Sequence, residues 1–191
     1  MTLNSFNFNT TPGIRFGSGQ AKDACKEIFN KLGSRILFIT DKGLVSLGLT
    51  KPTIEEIKKM ASVEVFDDVE ADPSQKTLLK AIEIGKKFKT TGVIGFGGGS
   101  SMDVAKLSAL ILGSNEDLEK AWGVANAKGP RLPLVLFPTT AGTGSEVTPI
   151  SIITVGEEEK KGVSSPIILP CLLYTSPSPR DRSLSRMPSS A

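Results

Sequence analysis

The chain has 191 residues, of which 39% are hydrophobic and 23% charged, a composition typical of one globular domain. Its formal net charge is +3, and most of the surplus lies in the last 21 residues, so no nucleic-acid partner is expected. No apolar run reaches the ~18 residues of a membrane span, so no membrane partner is expected. The absence of histidine excludes a Ser-His-Asp triad, a Cys-His pair and any His-containing metal site.

Apolar side chains alternate between strand and helix spacing along the first 140 residues. The predicted strands are residues 6–15 (or a hairpin there), 36–39, 63–66, 93–96 and 134–137. The predicted helices are residues 20–32, 54–60, 72–88, with Asp72 as its N-cap, and 101–112. This alternation predicts an α/β fold with a doubly wound, mostly parallel, Rossmann-like sheet. Ligands of such sheets bind beyond the carboxyl ends of the strands.

The composition changes abruptly after residue 170. The last 21 residues contain six serines, three prolines and half of the arginines, without apolar periodicity. We therefore predict one domain over residues 1–170 and a disordered or foreign tail over residues 171–191. Cys25 and Cys171 are too few and too far apart for a disulfide framework, and residues 1–20 lack the features of a secretory signal, so a cytoplasmic location is expected.

Three consecutive glycines join a predicted strand to a predicted helix. Gly97, Gly98 and Gly99 remove every side chain from the turn, so a bulky anion can approach the backbone N–H groups, and the helix contributes its positive dipole end. The alternative is a tight structural turn, which usually needs one glycine. The turn is not a P-loop, and Ser100 breaks the G-x-G-x-x-G pattern. We predict that it binds a phosphate.

A second polar loop follows the buried strand at residues 134–137. It contains Thr139, Thr140 and Thr143, whose hydroxyls suit a ribose or a pyrophosphate together with the glycine N–H groups between them. Such clusters are ordinary loops when they stand alone. Paired with the glycine turn, this loop predicts one nucleotide held from two sides, and residues 1–170 are accordingly predicted to be a dinucleotide-binding domain.

Two charged residues are weaker candidates. Asp41 follows the strand at residues 36–39, where a carboxylate can accept hydrogen bonds from an adenine ribose and repel a 2′-phosphate. A helix N-cap or a solvated turn is the alternative. The charged run 157–161 is typical of a solvated hairpin tip, although Lys161 could fold back onto a phosphate.

Three segments together resemble the iron-containing alcohol dehydrogenase family. They are residues 97–106 (GGGSSMDVAK), residues 138–148 (PTTAGTGSEVT) and residues 12–19 (PGIRFGSG). Their order and separation match as well as the motifs do, and the resemblance covers residues 3 to about 170, the N-terminal domain of the family. It implies an NAD(P)-dependent oxidoreductase that interconverts an alcohol and an aldehyde or ketone, within a homo-oligomeric parent enzyme.

The resemblance also implies roles for individual residues. The glycine turn would meet the pyrophosphate, the threonines of the second loop would line the cofactor, and Asp41 would favour NAD over NADP. Asp72 lies in a loop where many relatives carry Asn. The cofactor-binding residues predicted in this way are Asp41, Asp72, Gly97, Gly98, Gly99, Ser100, Thr139, Thr140, Thr143 and Lys161.

The metal of the family has no predicted ligands in this chain. In the family, an all-helical second domain supplies one Asp and three His ligands to Fe²⁺ or a similar divalent ion, which polarises the alcohol oxygen. The chain contains no histidine, so it does not hold that site, no catalytic residue is assigned, and the chain alone is predicted to be inactive.

Two alternatives remain. Glycerol dehydrogenases and dehydroquinate synthases share related glycine-rich turns and a helical metal domain, although residues 139–146 favour the alcohol dehydrogenase branch. The chain could also be a non-catalytic nucleotide-binding fragment, or a truncated or spurious product.

Overall fold

A six-stranded parallel sheet forms the centre of the protein. The structure is a computed structural model that describes residues 9–17 and 25–175. In chain order, the strands are β1 (Ile14–Phe16), β2 (Arg35–Ile39), β3 (Ser62–Phe66), β4 (Gly92–Gly97), β5 (Gly123–Val124), β6 (Leu134–Pro138), β7 (Ile150–Val155), β8 (Glu159–Ser164) and β9 (Leu172–Thr175). The helices are α1 (Cys25–Leu32), α2 (Lys42–Ser46), α3 (Lys51–Lys58), α4 (Gln75–Phe88), α5 (Gly99–Ser114) and α6 (Leu118–Ala121), with a 3₁₀ turn at Pro166–Ile168.

The large sheet has the strand order β1-β9-β6-β4-β2-β3, and each neighbouring pair is parallel. The order places β2, β4 and β6 side by side at its centre. A smaller sheet has the order β5-β8-β7, in which β7 and β8 form an antiparallel hairpin with its tip at residues 156–158. The predicted α/β fold with a mostly parallel, Rossmann-like sheet is confirmed.

The side chains of strand β2 show that helices cover the sheet on both faces. Leu37 and Ile39 belong to a buried cluster with α4 and α5, whereas Ile36 and Phe38 belong to a second cluster with α1 and α3. Successive side chains of a strand point to opposite faces, so a continuously apolar strand requires two layers of helices. Among the described helices, none is long and apolar enough to cross a membrane.

Strand β9 extends the folded part of the chain into the segment predicted as a tail. It lies between β1 and β6, and Leu172, Leu173 and Tyr174 are almost completely buried. The Tyr174 ring stacks on Phe137 with ring centroids 5.1 Å apart, and the Tyr174 hydroxyl donates to Glu27 Oε2 at 2.9 Å. The folded part therefore extends at least to Thr175, and residues 176–191 lie outside the described residues.

Two boundaries differ from the sequence expectations. The N-cap of α4 is Ser74, whose Oγ accepts from the Thr77 N–H at 3.2 Å, and not Asp72, whose backbone is left-handed with φ 53°. Ser and Asp are both good N-caps, so the local sequence does not choose between them. The predicted early strand over residues 6–15 is present only as β1 (Ile14–Phe16), since residues 9–13 are not in a strand, and the predicted first helix is present as α1. Residues 6–8 and 20–24 of those predictions lie outside the described residues.

Candidate functional site

The three central strands of the large sheet bring the predicted loops to one edge. β2, β4 and β6 end at Ile39, Gly97 and Pro138 and are hydrogen-bonded to one another in the order β2-β4-β6. Because parallel strands end at the same edge, the turns that follow them are neighbours. The glycine turn stands between the loop of Asp41 and the second polar loop.

The glycine turn leaves its backbone open. Gly97 has φ 150°, and a Cβ atom there would lie 2.7 Å from Ser101 Oγ, so the position requires glycine. Gly98 is the N-cap of α5 and provides no side-chain cap. The first N–H groups of this 16-residue helix, which have no partners within the helix, therefore face outward without a cap from that residue.

The second polar loop lies directly against the glycine turn. The Thr139 N–H donates to the Gly97 carbonyl oxygen at 3.0 Å. A Cβ atom at Gly98 would lie 3.4 Å from Thr140 Oγ1, and a Cβ atom at Gly99 would lie 3.5 Å from Thr143 Cβ. The predicted meeting of the two loops in one crevice is confirmed, and the space that glycine leaves free lies between them.

An open pocket of about 460 Å³ continues from this crevice. It lies between the start of α5, the second loop, the β7–β8 hairpin and the residues before α4. The residues that line it are Asp72, Pro73, Gly99, Ser100, Asp103, Thr143, Ser145, Ile152 and Lys160. Of the predicted cofactor-binding residues, Asp72, Gly99, Ser100 and Thr143 therefore line the pocket. Gly97, Gly98, Thr139 and Thr140 adjoin it through the contacts between the two loops.

Asp41 has a structural role in addition to its predicted one. It is the N-cap of α2, and its Oδ1 accepts from the Leu44 N–H at 2.9 Å. The alternative interpretation of Asp41 as a helix cap is thus observed. A carboxylate has further acceptor positions, so capping leaves the predicted ribose contact open, and Asp41 does not line the pocket.

Across the pocket from α5, an exposed ion pair joins the β7–β8 hairpin to the residues before α4. Lys160 Nζ lies 2.6 Å from Asp72 Oδ1, and the two side chains are 47% and 83% exposed. The Thr154 N–H also donates to the Pro73 carbonyl oxygen at 2.9 Å. These contacts attach the hairpin to the residues before α4.

Lys160, and not the predicted Lys161, lines the pocket in this structure. Lys161 is opposite Ile153 in the hairpin register, and Ile153 is buried. Neighbouring residues of a strand face opposite sides, so an argument from the charged run alone does not distinguish the two lysines. The contact of Lys161 with a cofactor stays a prediction.

A buried charged pair at the base of the pocket was missed by the sequence interpretation. Lys106 is completely buried, and its Nζ donates to Ser145 Oγ at 3.0 Å and to the carbonyl oxygens of Thr148 and Ile150 at 3.0 and 2.7 Å. The Asp103 carboxylate accepts from the Ser145 hydroxyl at 2.6 Å and from the Ile152 N–H at 3.0 Å.

Burial dominates the electrostatics of this pair. It lowers the pKa of Lys106 to about 8, although the neighbouring carboxylates of Asp103 and Glu146 act in the opposite direction. Burial also raises the pKa of Asp103, against the effects of Lys106 and of the hydrogen bonds from Ser145 and Ile152. In the sequence, the signal was a pair of charges three residues apart within a helix whose other residues are all uncharged.

The described part of the chain, residues 9–17 and 25–175, contains no group of three or more His, Cys, Asp or Glu side chains that could hold a metal ion. The donor set at the pocket consists of backbone N–H groups, hydroxyls, Lys160, and the carboxylates of Asp72 and Asp103, which are both engaged. Its N–H groups, hydroxyls and Lys160 ammonium group can donate hydrogen bonds to an anion.

Comparison with known proteins gives a consistent result. The family model described as iron-containing alcohol dehydrogenase matches residues 11–177. A sulfoacetaldehyde reductase from Bilophila wadsworthia is 35% identical over 164 residues, which are 84% of this chain and 42% of that protein.

Solved structures agree with the sequence matches. A 1,3-propanediol oxidoreductase superposes with a TM-score of 0.86 at 26% identity, over 91% of this chain and 46% of its own. A sulfoacetaldehyde reductase from Bifidobacterium kashiwanohense, solved in complex with NAD⁺, superposes with a TM-score of 0.80 at 30% identity, over the same shares of 91% and 46%. The chain spans less than half the length of these relatives.

Proposed function

This chain belongs to the iron-containing alcohol dehydrogenase family, and from that premise we propose that it binds the nicotinamide cofactor of such an enzyme. The observation that carries the proposal is the contact between the glycine turn and the second polar loop. Two segments that offer backbone N–H groups and hydroxyls converge beside the N-terminus of a 16-residue helix, the arrangement that binds a pyrophosphate.

The geometry of the crevice supports a dinucleotide in particular. A Cβ atom at Gly98 or Gly99 would occupy part of the space between the loops, so the absence of side chains there leaves room for a ligand to approach the backbone. A relative of 30% identity has been solved with NAD⁺. In this proposal, Gly98, Gly99 and Ser100 bind the pyrophosphate, and Thr139, Thr140 and Thr143 line the cofactor, which supplies the hydride-accepting group.

Two finer assignments follow from charge. Asp41 stands at the end of β2, beside β4, where a carboxylate favours the free ribose of NAD over the 2′-phosphate of NADP. At the other end of the crevice, Lys160 is the cation of the pocket wall and is available to an anionic ligand if it leaves Asp72. We assign the chain to NAD-dependent chemistry for these reasons.

The reaction itself belongs to the full-length enzyme. We propose that the parent transfers a hydride between NAD and a small alcohol or aldehyde with the help of Fe²⁺ or another divalent metal. The residues that the structure describes do not fit such a metal. The proposed contribution of this chain is to bind and orient the cofactor, and alone it is expected to be inactive.

The proposal is tested by titrating NADH into the 191-residue chain and following the fluorescence of the nicotinamide, with NADPH in parallel. We expect NADH to bind, NADPH to bind about tenfold more weakly, and Gly98→Ala to weaken NADH binding by about tenfold, equivalent to ~1.4 kcal/mol. The matched control is Gly162→Ala on strand β8, which does not line the pocket and has room for the added methyl group 3.4 Å from Ser151 O.

The same preparation tests the expected inactivity. NAD⁺, Fe²⁺ or Zn²⁺ and simple primary alcohols should give no NADH. No detectable NADH binding by the folded chain would contradict the proposed function, and steady turnover would show that the chain carries catalytic groups assigned here to another part of the enzyme.

A further inference from the structure

The buried pair on α5 connects the two loops of the proposed cofactor site. Asp103 and Lys106 lie one turn apart on the helix that begins at the glycine turn, and their polar atoms are directed at residues 145–152. That segment leads from the second loop into strand β7. The helix of one loop therefore holds the chain of the other through side chains.

Ser145 is the centre of this connection. Its Oγ accepts from Lys106 Nζ at 3.0 Å, and its hydroxyl donates to Asp103 Oδ1 at 2.6 Å. The two charged groups are themselves 3.8 Å apart. The serine hydroxyl thus lies between the two charges and transmits their positions to the second loop.

Lys106 cannot touch a ligand, because its side chain has no exposed surface. Its ammonium group has three N–H donors, and three acceptors are present: Ser145 Oγ and the carbonyl oxygens of Thr148 and Ile150. Asp103 is 16% exposed and, together with Ser145, lines the pocket. Lys106 can therefore act on the pocket only indirectly, and Asp103 and Ser145 are its contacts that line the pocket.

Stability is a poor explanation for this arrangement. Burying two charges costs desolvation free energy, and an apolar pair of similar volume is often as stable or more stable. Most of the other buried residues of α5 are apolar, and its buried Ser108 hydroxyl has no hydrogen-bond partner. The ionic pair instead fixes the position of residues 145–152, since each of its hydrogen bonds holds one atom of that segment relative to α5.

We propose that Lys106 is a positioning residue, which acts through Asp103 and Ser145 to hold the second loop at the separation from the glycine turn that a dinucleotide needs. This inference rests on the proposed function. It adds that the width of the crevice is set by a buried group beneath the base of the pocket, which the ligand does not touch.

The test compares two serine-to-alanine variants, Ser145→Ala and Ser108→Ala, in the NADH titration. Ser108 is a matched control because it is completely buried on the same helix and its hydroxyl has no hydrogen-bond partner. We expect Ser145→Ala to weaken NADH binding by about tenfold, the effect of one misplaced binding loop, and Ser108→Ala to change it by less than about twofold. Circular dichroism verifies that both variants are folded under the conditions of the titration.

A second readout separates positioning from a general structural role. The pKa of Lys106 is about 8, and the charged groups facing it are Asp103 on its own helix and Glu146 on the second loop. As Lys106 loses its proton, one of its three hydrogen bonds loses its donor, so wild-type NADH affinity should fall by about threefold or more between pH 7 and 9.5. Ser108→Ala should keep this profile, and Ser145→Ala should flatten it.

The outcomes are distinguishable. If wild type binds NADH and Ser145→Ala binds it equally well with the same pH profile, the inference is overturned and the proposed function stands. Equal losses of NADH affinity in Ser145→Ala and Ser108→Ala would also overturn the inference, since they would show that NADH binding responds to any change in the packing of α5. If the folded wild-type chain does not bind NADH, the proposed function and this inference fail together.

Discussion

Two lysine–aspartate pairs border the pocket, one buried at its base and one exposed to solvent at its rim. At the base, Lys106 and Asp103 are 0% and 16% exposed and are surrounded by hydrogen-bond partners from residues 145–152. At the rim, Lys160 and Asp72 are 47% and 83% exposed and form one short contact, 2.6 Å long. Although it is shorter, the exposed pair is expected to contribute less than about 1 kcal/mol to stability, because water competes for its charges and salt screens them.

The difference indicates how the pocket is divided. The base is fixed by groups that cannot return to water without unfolding, whereas the rim is closed by a contact that solvent, salt or an anionic ligand can replace. A cofactor would thus meet a rigid floor beside the glycine turn and an adjustable wall at the hairpin.

The largest expected effect is at the base. Lys106→Met removes the cation and leaves the Asp103 carboxylate without it in a largely buried place, so the free energy of unfolding should fall by about 3 kcal/mol. Urea denaturation followed by circular dichroism measures the change. The double variant Asp103→Asn/Lys106→Met, which removes both charges, should recover about half of the loss or more.

If Lys106→Met lowers the free energy of unfolding by less than about 0.5 kcal/mol, the buried pair matters no more to stability than an exposed ion pair does. The proposed difference between the base and the rim would then be wrong.

The pH dependence of stability is the next effect in size. Because burial lowers the pKa of Lys106 to about 8 from 10.5, the unfolded chain binds more protons than the folded chain between these pH values. The free energy of unfolding should therefore gain, from this residue, up to about 1.4 kcal/mol per pH unit as the pH rises from about 8 to 10.5. The gain is lost again as the pH falls from about 10.5 to 8, and none of it is present below that range.

Subtracting the urea-derived pH profile of Lys106→Met from that of the wild type isolates this contribution from the other lysines. Parallel profiles for the two proteins would contradict the lowered pKa.

The smallest effect is expected at the rim. Asp72→Ala and Lys160→Ala should each change the free energy of unfolding by less than about 1 kcal/mol, and the double-mutant cycle should give a coupling of about 0.5 kcal/mol that decreases in high salt. A coupling above about 2 kcal/mol, or one indifferent to salt, would mean that the rim is as rigid as the base.

Much of the fold follows from local patterns in the sequence. The apolar run at residues 36–39 predicts a strand covered on both faces, and β2 is such a strand, with its alternate side chains in two separate clusters. The glycine turn and the threonine-rich loop were likewise identified from composition, and the parallel order of β4 and β6 brings them into contact. These features depend on neighbours close in the chain or on the parallel sheet itself.

Other features depend on partners far away in the sequence. Composition alone assigned residues 172–175 to a tail, but β9 is completed by β1 and β6, which are many residues away. Position in the charged run did not distinguish Lys161 from Lys160, because the register of the hairpin decides which lysine reaches the pocket.

By itself, the sequence determined the class of the fold, the two loops of the candidate site and the family, because periodicity, turn chemistry and motif spacing are properties of short segments. The tertiary structure decided that Asp103 and Lys106 are buried, that Ser145 lies between them, and that Asp72 pairs with Lys160. The physical reason is that the energy of a charge depends on the solvent and the partners around it. Those are fixed only when distant segments pack together.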